Sequence, residues 1–304
     1  MVLYRYGDPD VLEAADIPQP QPGAGEVRVR VHAVGVNPVD YKARGTNSLK
    51  YDDFPVVLGW DVAGTVEALG EGAERFRVGD EVFGMIRFPK EGRAYAEYAT
   101  APETDLALKP EDMGFNEAAA TTLAALTAYQ ALEKMGLRAG QTILIHAAAG
   151  GVGHFAVQLA RASGATVIGT ASGKNRDFVT DLGVDQFVDY TAGNFEDAAP
   201  QVDAVFDTVG GETFTRSYAV VKPGGWLVTI AASPRPDEAP RTDIHAERIM
   251  VHPSHEDLEA LARLYEAGRL KPHVSRTFPL EQVAEAHRLL EDRHVVGKVV
   301  LEFG

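Results

Sequence analysis

Hydrophobic and polar positions divide the chain into regions of different periodicity. Across residues 26–34, Val27, Val29 and Val31 alternate with Arg28, Arg30 and His32, the two-residue period of a strand with one buried face. Residues 62–69 and 80–83 predict further short strands, punctuated by Gly, Pro and Asp turns. Strands so short and so closely spaced point to a compact barrel or sandwich. Near Asn116 the character changes. An Ala-rich helix is predicted over residues 117–135, followed by a break at Gly136 and Gly140. Beyond it, strands at 142–146, 166–170, 186–188, 203–207 and 225–231 alternate with helices at 152–160, 176–182 and 212–220. The first of these helices places Val152, Phe155, Ala156, Leu159 and Ala160 on one apolar face. Such alternation predicts a parallel sheet with helices on both faces. Residues 233–242 carry three prolines and read as a loop. A strand at 248–251, a helix at 255–267 capped by Ser254, a helix at 281–292 and a strand at 298–302 complete the chain. The last 35 or so residues return to the first domain's β-rich character (about this many, given boundary errors of several residues).

Composition narrows the class. The 304 residues suffice for two domains. A hydrophobic content of 45% supports a substantial core. The balance of 29 Lys and Arg against 44 Asp and Glu, a net −15, argues against nucleic acid or an anionic membrane as partner. There is no cysteine, which removes disulfides, thiolate nucleophiles and thiolate metal ligands. No apolar run approaches the roughly 20 residues of a membrane span, and no hydrophobic signal segment opens the sequence, so a cytoplasmic location is the expectation.

Candidate chemistry centres on Ala149-Gly150-Gly151-Val152-Gly153, set between a strand and a helix with Ala156 following. In Gly-x-Gly-x-x-Ala turns, Gly151 would permit the tight turn. Gly153 would let backbone amides approach a pyrophosphate, and Ala156 would let the helix pack on the strand. An NAD site places an acidic residue about 20 positions past the first glycine. Here that count lands on Ala171, and Ser172, Lys174 and Arg176 follow instead. A hydroxyl and two cations suit a 2′-phosphate, and basic residues in a first helical turn oppose the helix dipole unless an anion is bound. NADP(H) is therefore the expected cofactor.

These motifs, with Gly35-Val36-Asn37-Pro38-Val39-Asp40, Gly59-Trp60-Asp61-Val62-Ala63-Gly64, Val78-Gly79-Asp80-Glu81-Val82, Leu126-Thr127-Ala128-Tyr129, Asp207-Thr208-Val209-Gly210-Gly211 and Val296-Gly297-Lys298-Val299-Val300, run nearly end to end. Together they resemble the zinc-free quinone oxidoreductase branch of the medium-chain dehydrogenase/reductase superfamily. The resemblance implies an α/β protein. Residues 1–116 and 269–304 would form a GroES-like β-barrel domain, and residues 117–268 a Rossmann domain with a doubly wound parallel sheet. It implies no metal: zinc relatives carry Cys where this chain has Asn37 and His-Glu where it has Trp60-Asp61. It also implies that Lys174 and Tyr190 face the 2′-phosphate and that Thr127, Val209 and Ala231 lie near the nicotinamide. A homodimer is implied as well, with a strand edge near residues 226–230 or 248–251 able to pair with a second copy.

Reduction without zinc needs hydrogen bonds to polarise the acceptor. Asn37 is the candidate amide donor and Tyr41 the candidate proton donor, although Tyr41 fits the core equally well. Asp40 reads as the cap of a short helix, His146 as a satisfied core histidine, and His252 and His255 as loop histidines. Loops at residues 44–55 and 87–93 are expected to wall the acceptor pocket. The expected substrate is a quinone or an α,β-unsaturated carbonyl. The alternative is a non-catalytic NADPH-binding sensor or structural protein, which would bind cofactor without turnover.

Overall fold

The computed structural model describes residues 1–46, 53–199, 201–235, 237 and 239–303. Residues 47–52, within the first expected pocket loop, lie outside the described residues. The chain forms two compact units. The first contains Met1–Leu126, His252–Gly268 and Pro272–Gly304, and the second contains Thr127–Val251 and Arg269–Lys271. The division expected at 116 and 268 is thus displaced. The Ala-rich helix Phe115–Met135 runs across it, and helix His255–Glu266 joins the first unit by packing on strand Leu106–Leu108. Alternating strands and helices in a sequence reveal the class of each element but not which sheet a helix covers. No helix among the described residues is long and apolar enough to cross a membrane.

The first unit is built on a seven-stranded sheet whose centre is the long strand Glu26–Val36. Val27, Val29 and Val31 are buried, as the alternation predicts, while on the other face Arg30 is exposed and Arg28 and His32 are half-buried. This strand pairs antiparallel with Asp61–Leu69, Tyr98–Pro102 and, at its far end, Lys298–Glu302. Helix Pro38–Gly45 follows directly, started by a proline in its first turn. Ser254 caps helix His255–Glu266 as expected, its hydroxyl accepting from the Asp257 amide at 3.1 Å.

The second unit holds six parallel strands: β1 Thr142–Ile145, β2 Thr166–Ala171, β3 Gln186–Asp189, β4 Val202–Asp207, β5 Val221–Thr229 and β6 His245–Arg248. Their order in the sheet is β3-β2-β1-β4-β5-β6. This is the doubly wound arrangement, with a switch point between β1 and β4, outside whose carboxyl ends such sheets bind ligands. Strand β6 begins three residues before the expected 248–251, because Trp226 of β5 pairs with His245. The segment near 226–230 is therefore interior, and β6 alone of the two forms an edge. Helix Gly153–Ala162 is buried on more than one face: His154, Val157 and Gln158 join the predicted apolar stripe. The segment Arg269–Lys271 covers its other side, with Gln158 exchanging hydrogen bonds of 3.1 and 2.8 Å with Lys271. A stripe count sees only the face turned to the sheet.

Candidate active site

At the carboxyl end of β1 the backbone turns sharply. The turn is made by Ala147, at φ 50°, and not by a glycine. Its geometry is fixed by Ala148 N–H donating to Thr170 O (2.8 Å) and Gly150 N–H to Ala147 O (2.8 Å). A Cβ on Gly153 would lie 2.1 Å from the Ala147 carbonyl oxygen. The missing side chain of that glycine is thus demanded by the protein's own backbone as well, which lets the helix start against the turn. The positive end of the helix dipole still favours an anion there, although the His154 amide is already committed to Gly150 O (3.0 Å). Ala149 is buried, and Gly150, Gly151 and Val152 are half-buried along this turn.

One strand over, Ser172 leaves β2 in an extended conformation, and Gly173–Asn175 forms a single 3₁₀ turn before helix Arg176–Asp181. Parallel pairing sets Asp189 of β3 beside Ala171 of β2, so Tyr190 emerges next to Ser172, with its amide 3.3 Å from Ala171 O. Lys174 is exposed and Tyr190 is 54% exposed. Arg176 has a partner of its own: its guanidinium lies 4.4 Å from the Phe187 ring centroid. A bound anion is thus not required to explain the cation in this first turn.

Across the switch point, Asp207 organises the ends of β4 and β5. Its buried carboxylate accepts from the amides of Val209 and Gly210 (both 3.0 Å) and from the Thr229 hydroxyl (2.7 Å). Thr229 Oγ in turn accepts from the amides of Ala231 and Ala232 (both 3.1 Å). Gly210, at φ 80°, packs so tightly that a Cβ would stand 2.7 Å from Ala231 O. The result presents Val209 (52% exposed) and Ala231 at the carboxyl edge of the sheet. Thr127 is buried in helix Phe115–Met135. His146 is a core histidine. Ser217 donates to Thr213 O, so the His146 Nε2–H donates to Ser217 (3.0 Å) and Nδ1 accepts from Thr170 (3.2 Å). Burial lowers its pKa to about 4.

The first unit carries a second polar cluster, nearly sealed from solvent. Asn37, Asp40, Asp61 and Lys298 are each at most 3% exposed. Asn37 Nδ2 donates to Asp61 Oδ2 (2.7 Å), Asp61 Oδ1 accepts from the Leu123 amide (2.9 Å), and Lys298 Nζ donates to Val36 O (3.1 Å) and to Asn37 Oδ1. The Lys298 ammonium is 3.5 Å from Asp61. Both ends of the Asn37 side-chain amide are therefore engaged inside the protein, so the donor to substrate or nicotinamide ribose expected of it already has partners here. Asp40 accepts from the Asn37 amide at 2.5 Å, the capping role expected of it. Burial raises its pKa to about 8, opposed by that amide and reinforced by Asp61. Burial also lowers Lys298, opposed by Asp61 and Asp40. Trp60 is buried, with Nε1–H donating to Lys90 O (2.6 Å). Nearby, Arg44 donates to His287 Nδ1 (3.3 Å), leaving Nε2–H to donate to Tyr95 Oη (3.0 Å). Burial, and then the Arg44 charge, lower His287 to about 3. Tyr41 is half-buried on the same helix as Asp40. Among the described residues no group of three or more His, Asp or Glu could hold a metal ion.

The motifs had marked Asp207 and Lys298 without a role, and had missed Thr229 and Asp189. A lysine opening a strand directly before the apolar run Val299, Val300 and Leu301 was the available signal for the role of Lys298.

Two family models match the chain: the alcohol dehydrogenase GroES-like domain over residues 23–111, and the family described as zinc-binding dehydrogenase over residues 182–301. The NADPH-dependent alkenal/one oxidoreductase, chloroplastic, of Arabidopsis thaliana is 36% identical, covering 99% of this chain and 78% of that protein. The quinone oxidoreductase of Homo sapiens is 32% identical, covering 98% of this chain and 96% of its own length. The chain belongs to the quinone oxidoreductase branch of the medium-chain dehydrogenase/reductase superfamily. Its fold is shared with the solved quinone oxidoreductase of Coxiella burnetii, at a TM-score of 0.93 and 36% identity over 99% of this chain and 98% of that one. The two units are accordingly the GroES-like and Rossmann domains of this branch.

Proposed function

We propose that the chain is an NADPH-dependent oxidoreductase that reduces a quinone or an α,β-unsaturated carbonyl without zinc. The observation that carries this reading is the set of groups at the carboxyl edge of one parallel sheet: the glycine turn after β1, Ser172 and Lys174 after β2, and Tyr190 after β3. The turn and its helix suit a pyrophosphate. Lys174, Ser172 and Tyr190 supply a cation and two hydroxyls for a 2′-phosphate. Val209, Ala231 and Thr127 are assigned to the nicotinamide end, where small and apolar groups leave space for a planar ring.

A bound reduced nicotinamide supplies the hydride. The chain's own groups bind it, exclude water and furnish a proton, for which Tyr41 is the candidate. Asn37 becomes a positioning group, since its amide joins Lys298 to Asp61. The same engagement supports the zinc-free reading. Asp61 is already compensated by an ammonium and by the donors Asn37 and Leu123 N–H, and Trp60 offers no ligand. The names of the alkenal/one and quinone relatives support the substrate class. The edge strand β6 offers a pairing surface for the expected homodimer.

Oxidation of NADPH, followed by absorbance against a panel of quinones and enones, tests the proposal. Turnover should favour NADPH over NADH, and Lys174→Glu should weaken NADPH binding by about tenfold. Equal rates with both nucleotides, or an unchanged preference in Lys174→Glu, would sink the cofactor assignment.

A further inference from the structure

The sequence offers no carboxylate at the end of β2, but the sheet brings one from the neighbouring strand. Asp189, the last residue of β3, is paired with Ala171. Its Oδ1 accepts from the Thr191 amide (2.9 Å) and the Thr191 hydroxyl (2.7 Å). Its other oxygen, Oδ2, lies close against Gly173. A Cβ on Gly173 would lie only 2.3 Å from Asp189 Oδ2, so the close approach depends on glycine. Thr191 first, then Gly173 and the Arg176 charge, hold this carboxyl below its ordinary range.

We propose that Asp189 is a positioning residue for cofactor discrimination, tying the turn that carries Ser172 and Lys174 to the turn that carries Tyr190. This rests on the NADPH reading above. A carboxylate beside a phosphate-binding ledge is at first sight a contradiction, because in NAD sites an acid there accepts from the ribose hydroxyls. Here Oδ1 is committed to Thr191 and Oδ2 is held against Gly173. Asp189 therefore acts on the cofactor through the two turns it joins, and its removal should affect the 2′-phosphate contacts more than the rest of the nucleotide.

Titration calorimetry on the full chain with NADPH, NADH, 2′,5′-ADP and 5′-AMP tests this. Asp189→Ala should weaken NADPH and 2′,5′-ADP by about fivefold, the worth of roughly one hydrogen bond, and change NADH and 5′-AMP by less than about twofold. Gly173→Ala should produce the same selective loss by displacing the carboxylate. In the Asp189→Ala background it should add little, because the clash has gone. An unchanged NADPH to NADH ratio in Asp189→Ala, or fully additive losses in the double variant, overturns the role of Asp189. If the wild-type chain itself binds NADPH no better than NADH, and 2′,5′-ADP no better than 5′-AMP, the cofactor reading falls with it.

Discussion

Lys298 and Asp61 illustrate how individual residues behave when charge is buried. The ammonium is 3% exposed and satisfied by Val36 O, Asn37 Oδ1 and the Asp61 carboxylate. Such a pair contributes little net stability compared with an apolar replacement of both partners, yet removing one partner strands the other. Lys298→Met should therefore destabilise the first unit by about 3–5 kcal/mol, read from urea denaturation, and adding Asp61→Asn should recover part of the loss. A midpoint unmoved by Lys298→Met would mean that the hydrogen bonds to Asp61 suffice alone. His146 shows the opposite economy: neutral, with both ring nitrogens paired, it needs no counter-charge.

Among the elements, the strand–turn–helix after β1 is the most tightly constrained. Gly153 and Gly150 both face the Ala147 carbonyl oxygen, but at hypothetical Cβ distances of 2.1 and 3.2 Å respectively. The nearer contact is with rigid backbone, so relief requires the helix to move. Gly153→Ala should cost about 1–3 kcal/mol in thermal denaturation and impair NADPH binding, whereas Gly150→Ala should be much milder. Equal effects of the two substitutions would contradict this account of the turn.

For the molecule as a whole, three buried titratable groups contribute strongly to the pH profile. His146 and His287 are lowered by burial from 6.5 to about 4 and about 3. The unfolded chain takes up their protons near pH 6.5. Their stability is thus intact above that pH and is lost as pH falls toward the folded values, by about 1.4 kcal/mol per pH unit for each histidine. Asp40 has the reverse sign. Burial raises it from 3.8 to about 8, so the folded state retains a proton that the unfolded state releases. Its contribution is full below 3.8 and is lost as pH rises toward 8. Where these windows overlap, up to pH 6.5, the two histidines outweigh Asp40, and above it the Asp40 contribution is opposed by the Met1 amine, which burial lowers from 8.0. Melting temperature should accordingly rise from about pH 4 to pH 6.5, and Asp40→Asn should make the profile above pH 6.5 flatter or rising relative to wild type. A profile above pH 6.5 left unchanged in Asp40→Asn would contradict this role of Asp40.

The sequence by itself determined the class of each region, because strand alternation and helical stripes are imposed by local geometry and show wherever one face is buried. The valines of Glu26–Val36, the Ser254 cap and the glycine turn were legible for that reason. It also determined the set of groups at the carboxyl edge of the parallel sheet, since Ser172, Lys174, Tyr190, Val209 and Ala231 each fall just past the end of a strand. Tertiary structure alone decided which helices belong to which unit, which strand is an edge and what each polar side chain does once buried. Lys298 meets Asn37 across 261 positions, and Asp189 reaches Gly173 only because β2 and β3 pair in one register. Hydrogen bonds between distant segments leave no period in the chain. They arise when packing removes water and each buried donor and acceptor must find its partner inside.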